Sequence, residues 1–208
     1  MYHNNQWCYN HDMPKIVDHD KQRLLVAEAA WRIIRKNGME QASVRNIAEE
    51  AGISVGSMRH YFSTQSELLL YAMNLVSERV TARIQSMSFD GPPMEHMKQL
   101  LLEFIPNTDE KMAEMEVWYA FTAKSKTDPA LKKLADTVYN DIRRAVEIVI
   151  TSLIQSGIFR PDLNQELEIE RLYALIDGLA IHAVLRPDQI NGQLMDNALT
   201  LHLASLCP

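Results

Sequence analysis

The sequence predicts an all-α chain: an N-terminal three-helix domain built on a helix-turn-helix, followed by a larger helical body. Three observations carry this. Apolar residues recur at three- and four-residue spacing through most of the chain, and no stretch shows the alternation of a strand. Most Gly and Pro residues stand between the periodic segments, as in Asn37-Gly38, Gly52, Asp90-Gly91-Pro92-Pro93, Pro106, Gly157 and Arg186-Pro187. Residues 43–61, SVRNIAEEAGISVGSMRHY, read as two short helices around one tight turn.

Residues 1–12, MYHNNQWCYNHD, are polar and unpatterned, and are expected to form a disordered extension ahead of a start at Met13. His3 and His11 are spaced too loosely for a metal site. Cys8 and Cys207 lie at opposite ends, so both are expected as free thiols. The first helix is expected to begin near a capping Asp18 and to end at Asn37-Gly38. Leu24, Ala27, Trp31 and Ile34 share one face, which makes Trp31 a core residue rather than a base-stacking platform. Lys15, Lys21 and Arg23 near its start suit either phosphate contact or a solvated basic end.

In the second helix Val44, Ile47, Ala48 and Ala51 follow a capping Ser43, and Gly52 supplies the left-handed residue that stops it. Ser54 caps the third, which runs through Val55, Met58 and Phe62, with Gly56 leaving one side bare. In such a motif the second of the two helices enters the DNA major groove. The candidate DNA contacts are therefore Val55, Ser57, Arg59, His60 and Tyr61, with Ser43, Arg45 and Ser54 at the helix starts. Thr64 and Glu67 form a capping box for a fourth helix through Leu68, Leu69, Ala72, Leu75, Val76, Val80 and Ile84. At about 24 residues this is a rod of roughly 36 Å, ended by the Gly-Pro-Pro turn.

The run IAEEAGISVGSMRHYFSTQSELL resembles the DNA-binding domain of TetR-type transcriptional regulators, most closely the BetI-like subgroup, in which Arg-His-Tyr-Phe follows the Gly. The match is dense and without gaps. Two positions depart from the common pattern: Gln65 stands where many members carry a phosphate-binding Lys, and Arg59 where many carry Tyr. The resemblance implies a TetR-like fold with residues 13–63 as the DNA-binding domain, 64–90 as the connecting helix, and 91–208 as a ligand-binding and dimerisation domain. It further implies a repressor that a small organic ligand releases from its operator.

The body is helical throughout. Met94, Met97, Leu100, Leu101, Phe104 and Ile105 form one amphipathic segment stopped by Pro106. Thr108 caps the next, through Met112, Met115, Trp118, Tyr119 and Phe121. Asp128-Pro129 opens a long helix through Leu131, Leu134, Val138, Ile142, Ala145, Val149 and Leu153. The segments at about 164–185 and 192–206 carry apolar residues too widely spread for one face, so each covers the core and something else. The run LYALIDGLAIHAVLRP in the first of them again resembles the BetI-like body. A two-fold homodimer on a palindromic double-stranded operator is expected through these two helices, at Leu172, Leu179, Ala183, Leu199 and Leu203.

Flexible thioethers and amphipathic rings suit an adaptable apolar pocket, although the same stripe also suits a plain core. The candidate ligand contacts are Phe104, Met112, Met115, Trp118 and Tyr119, with Tyr139, Asp177 and His182 as further polar anchors. Asp177 and His182, five residues apart on one helix, do not share a face.

The formal net charge is -6, split as +2 over residues 14–85 and -7 over 86–208, with Asp12 supplying the rest. The helix-turn-helix lies in the basic part, and the acidic remainder orients away from phosphate. No Gly-rich phosphate loop, HExxH, CxxC or GxSxG occurs, so neither an enzyme nor a cofactor or metal is expected. With no membrane-length apolar run and no signal-peptide pattern at its start, the chain is expected in the cytoplasm. Two other readings remain compatible with the residues: a regulator without small-molecule input, whose body only dimerises or binds a protein, and a helical enzyme containing a helix-turn-helix shape.

Overall fold

The structure is a computed structural model that describes residues 19–88 and 90–208. The predicted extension, Lys15, the Asp18 cap and Cys8 lie outside those residues. The described chain consists of nine α-helices without a strand: α1 His19–Asn37, α2 Val44–Glu50, α3 Val55–Tyr61, α4 Gln65–Gln85, α5 Pro93–Leu101, α6 Asp109–Ser125, α7 Pro129–Gln155, α8 Gln165–Leu185 and α9 Gly192–Ser205.

Side-chain caps set most of the starts. Ser43, Ser54, Thr64, Thr108, Asp128, Asn164 and Asn191 each accept a hydrogen bond from a backbone N–H of the helix that follows. Each such cap contributes on the order of 1 kcal/mol. The ends of α1 and α2 need a left-handed residue, and Gly38 (φ 83°) and Gly52 (φ 68°) supply it without a Cβ clash. One expected helix is shorter. After Leu101 the chain tightens into a 3-10 turn, Leu102–Phe104, and Ile105 is extended. Pro106, which has no N–H and disfavours helical geometry just before it, accounts for the early stop.

Hydrophobic packing does not divide at the Gly-Pro-Pro turn. One cluster joins Val26, Trp31 and Ile34 of α1, Ile47 of α2, Met58 of α3 and Leu68, Leu69 and Met73 of α4 to Val117 and Phe121 of α6 and Leu131 of α7. Trp31 is buried as expected, and its indole N–H donates to the Ala72 carbonyl at 3.0 Å. The second cluster holds Leu101, Ile105, Val149, Ile150, Leu153 and Phe159 with Leu172, Ile176, Ala183, Leu199 and Leu203 of α8 and α9. The helix α6 therefore belongs to both: its C-terminal half is embedded in the core of the N-terminal domain.

The expected dimer contacts need correction here. Leu172, Ala183, Leu199 and Leu203 are covered within a single chain, and Leu179 is partly so. A side chain already fully packed has no surface to give a partner. What α8 and α9 leave outside is Leu167, Leu185, Leu194 and Leu201, the last 74% exposed.

Phe121 is fully buried where α6 enters the N-terminal core. Replacing it by Ala is expected to cost about 3–5 kcal/mol of stability, read as a lower midpoint in chemical denaturation. Because it packs in a cluster shared with α1, α4 and α7, signals from the N-terminal domain and from α6 should shift together.

Candidate nucleic-acid interface and internal cavity

The α2–α3 pair is held by its own backbone. The Ile53 N–H donates to the Ala48 carbonyl at 3.0 Å, closing the turn, and Ser43 and Ser54 accept from Asn46 and Ser57 at 3.2 and 3.0 Å. Met58 is the residue of α3 that points into the core. That leaves Ser54, Val55, Gly56, Arg59 and His60 exposed on the outer side, together with Arg45 of α2. Ser43, Ser57 and Tyr61 are half-buried. The Tyr61 ring leans on His19 of α1, with centroids 5.0 Å apart.

The surrounding cations are mostly engaged. The Arg23 guanidinium lies 4.6 Å from the centroids of both Phe62 and Tyr71. Arg32 pairs with Glu50 and Arg35 with Glu116, each at 2.6 Å. Gln65 donates to the Ala42 carbonyl at 2.6 Å, fastening the start of α4 to the turn before α2. The capping box holds on one side, with the Thr64 hydroxyl oxygen accepting from the Glu67 N–H at 3.0 Å, while the Glu67 carboxylate accepts mainly from the N–H and hydroxyl of Ser63, at 2.8 and 2.7 Å. The Ser63 hydroxyl, then its N–H, hold the Glu67 carboxyl below its ordinary range.

A cavity of about 210 Å³ lies between α4, α6, α7 and the middle of α8. Each wall is a helical stripe: Met73, Val76, Val80 and Ile84 from α4; Lys111, Glu114, Met115 and Trp118 from α6; Val138, Asp141, Ile142 and Ala145 from α7. Of the expected ligand residues, Phe104, Met115, Trp118 and Asp177 line it. Met112 packs on the lower core instead, one position off the α6 stripe. Tyr119 faces α8, where its hydroxyl donates to the Asp177 carbonyl at 3.1 Å. Tyr139 is exposed and its ring meets Tyr173 at 5.1 Å. His182 is exposed away from the cavity, as five residues of helix rotate it from the Asp177 face.

The ionic network at the cavity, of which Glu103, Lys111 and Glu114 line the wall, was missed in the sequence. Arg83, at the end of α4, donates to both Glu114 oxygens at 3.0 and 2.8 Å and to Glu103 at 2.7 Å. Lys111 donates to Glu103 at 2.9 Å. Glu114 is only 4% exposed. The bond to Glu114 keeps the Arg83 guanidinium firmly charged despite its partial burial. Burial opposes the charged form of Glu103, yet Lys111 and Arg83 together hold its carboxyl below the ordinary range. The i, i+3 spacing of Lys111 and Glu114 was a readable sign of a polar stripe, but their partners on other helices were not.

Residues 26–72 match the family described as bacterial regulatory proteins, tetR family, and residues 93–208 match the BetI-type transcriptional repressor, C-terminal. The chain is 45% identical over 196 residues to the HTH-type transcriptional regulator PksA of Bacillus subtilis, covering 94% of each. A transcriptional regulator of Rhodococcus sp. Rha1 superposes with a TM-score of 0.77 at 27% identity, over 88% of this chain and 95% of that one. A regulator of Saccharomonospora viridis, solved in complex with choline, superposes with a TM-score of 0.75 at 24% identity, over 87% and 94%.

The buried Arg83 network yields a stability prediction. Glu114→Ala leaves Arg83 with only Glu103, a carboxylate that Lys111 also uses, and is expected to cost about 1.5–3 kcal/mol. Replacing Arg83 and Glu114 together by apolar residues of similar volume should recover most of that loss, because no unpaired charge then remains. Thermal melts of the two variants read the difference.

Proposed function

The chain belongs to the TetR family of DNA-binding transcriptional regulators, on the BetI-type side of it, and from that premise we propose a homodimeric repressor that a small organic ligand releases from a palindromic operator. One observation carries this reading: the cavity is walled by the two helices that hold the N-terminal domain. The α4 wall leads directly into that domain, and α6 runs from the cavity into its core, with the Trp118 ring stacked 5.8 Å from Phe121. A body entering against Trp118 and Val80 must displace one helix or the other, since packed cores do not deform continuously.

The consequence for DNA is geometric. Two recognition helices of a two-fold dimer read half-sites about 34–36 Å apart, and a tilt of α4 changes that spacing. The ligand needs to prefer the spread arrangement by a few kcal/mol to empty the operator. Exposed Leu185, Leu194 and Leu201 on α8 and α9 form the proposed dimer face, in place of the buried leucines above. The S. viridis regulator's choline makes small organic molecules the effector class to screen. No described helix is long and apolar enough to cross a membrane, and we place the protein with its DNA in the cytoplasm.

On the DNA side, Arg59 is the exposed cation of the recognition helix and is proposed to contact a guanine edge or a phosphate, beside Arg45, Ser57 and His60. Arg59→Ala should weaken operator binding by about 1–3 kcal/mol if the contact is a bidentate base contact, measured by fluorescence anisotropy on the protein's own promoter. Unchanged affinity and base preference would remove Arg59 from the interface. Leu201→Glu should give monomers by light scattering that no longer shift that promoter; a variant that remains dimeric places the interface elsewhere. The whole reading is tested by electrophoretic shift on the promoter with and without a metabolite panel. No shift sinks the operator, while a shift that no compound relieves favours a regulator without small-molecule input.

A further inference from the structure

The recognition helix α3 turns one apolar side chain to solvent. Among the described residues of α2 and α3, Val44, Ile47, Ala48 and Met58 are packed inward wholly or in part, while Val55 is 37% exposed. It is the first residue of α3, and Ser54, Gly56, Arg59 and His60 around it are exposed as well. A lone surface valine is ordinary elsewhere. Here it stands on the face that a helix-turn-helix turns to DNA.

Gly56 supplies a second, independent observation. It is helical with a negative φ, unlike Gly38 and Gly52, so its backbone suits any residue. A Cβ built on it would meet nothing closer than the Ser54 hydroxyl oxygen at 3.7 Å, an ordinary contact. Neither conformation nor packing within the chain requires a glycine there, and glycine inside a helix is less favourable than alanine. The bare position instead suits a surface outside the chain that approaches the α3 backbone beside Val55.

The major groove offers a valine little choice. Val55 has neither donor nor acceptor in its side chain, so phosphates and polar base edges give it no hydrogen bond. The apolar group on that groove's floor is the C5 methyl of thymine. β-branching holds a helical valine almost wholly in one χ1 rotamer, which fixes the position of its two methyls before binding. Arg59 lies four residues on along the same face, about 6 Å along the helix axis, close to two base-pair steps of about 3.4 Å.

We propose that Val55 is a specificity-determining residue of the operator contact: its methyls seat against the C5 methyl of one thymine in each half-site, and Gly56 lets the helix come close enough for them to do so. The inference rests on the DNA-binding reading above and adds which base feature is read and by which side chain. It also makes part of the affinity apolar and so less dependent on salt, in a motif whose outward cations are Arg45 and Arg59.

The test compares the protein's own promoter made with thymine and with uracil, which differ by that methyl alone, in anisotropy titrations of the full-length protein. Wild type should bind the thymine promoter about tenfold more tightly, from about fourfold for each methyl withdrawn from water at two half-sites. Val55→Ala should lose about tenfold on thymine DNA and keep a thymine-to-uracil ratio below about threefold. Arg59→Ala should weaken binding to both promoters and leave the wild-type ratio unchanged. Gly56→Ala should melt at or above the wild-type temperature while binding the thymine promoter about tenfold or more weakly, which separates close approach from folding. Single thymine-to-uracil replacements should place the methyl at symmetry-related positions of the two half-sites. A wild-type ratio near one overturns the proposal. A ratio that Val55→Ala preserves, or that Arg59→Ala abolishes as well, overturns the assignment to Val55, and normal binding by Gly56→Ala overturns the close approach. If wild type shifts neither promoter, the operator reading itself falls and this inference falls with it.

Discussion

The guanidinium of Arg83 joins three separate stretches of chain: the end of α4, the 3-10 turn through Glu103, and the buried Glu114 of α6. A charged group so placed cannot lose one partner without leaving another stranded in a poorly solvated wall. The network therefore ties the end of the connecting helix to the α6 wall of the cavity and to the turn before α6. Surface pairs such as Arg32 with Glu50 contribute only about 0.2–1 kcal/mol and impose no such condition.

The second constraint lies on α6 itself. Glu114 and Trp118 face the cavity, while Val117 and Phe121, on the adjoining face of the same helix, are buried with α1 and α4. One rigid element thus carries side chains in two environments on adjoining faces, offset by three residues, less than one turn. That arrangement gives a bound body mechanical access to the N-terminal domain through packing as well as through the connecting helix.

On the DNA-facing side, most of the basic side chains near α1 hold structure together. Arg23 is sandwiched between rings, Arg32 and Arg35 are paired, and Gln65 is turned inward to Ala42. The outward cations of the two helix-turn-helix helices are Arg45 and Arg59. Binding that relies on few phosphate contacts leans more on base-edge readout and on helix placement, and falls less steeply with salt.

The sequence by itself determined the helices and most of their ends, because caps and glycines act within four residues of where they stand. Ser43, Ser54, Thr64, Asp128 and Asn164 start helices where the pattern places them, and Gly38 and Gly52 end them. It also determined the exposed face of α3 and the burial of Trp31, since both follow from helical period. Tertiary structure alone decided which apolar face meets what. Leu172 and Leu199 were expected at the dimer interface, and only the packing of α8 on α7 and of α9 on α8 showed them inside and Leu185 and Leu201 outside. It likewise decided the ionic network at the cavity, whose four groups, Glu103, Lys111 and Glu114 in the wall and Arg83 bonded to them, come from three segments up to 31 residues apart and share no local pattern. A charge pair across helices depends on how the helices cross, and crossing is set by the whole core rather than by any stretch of it.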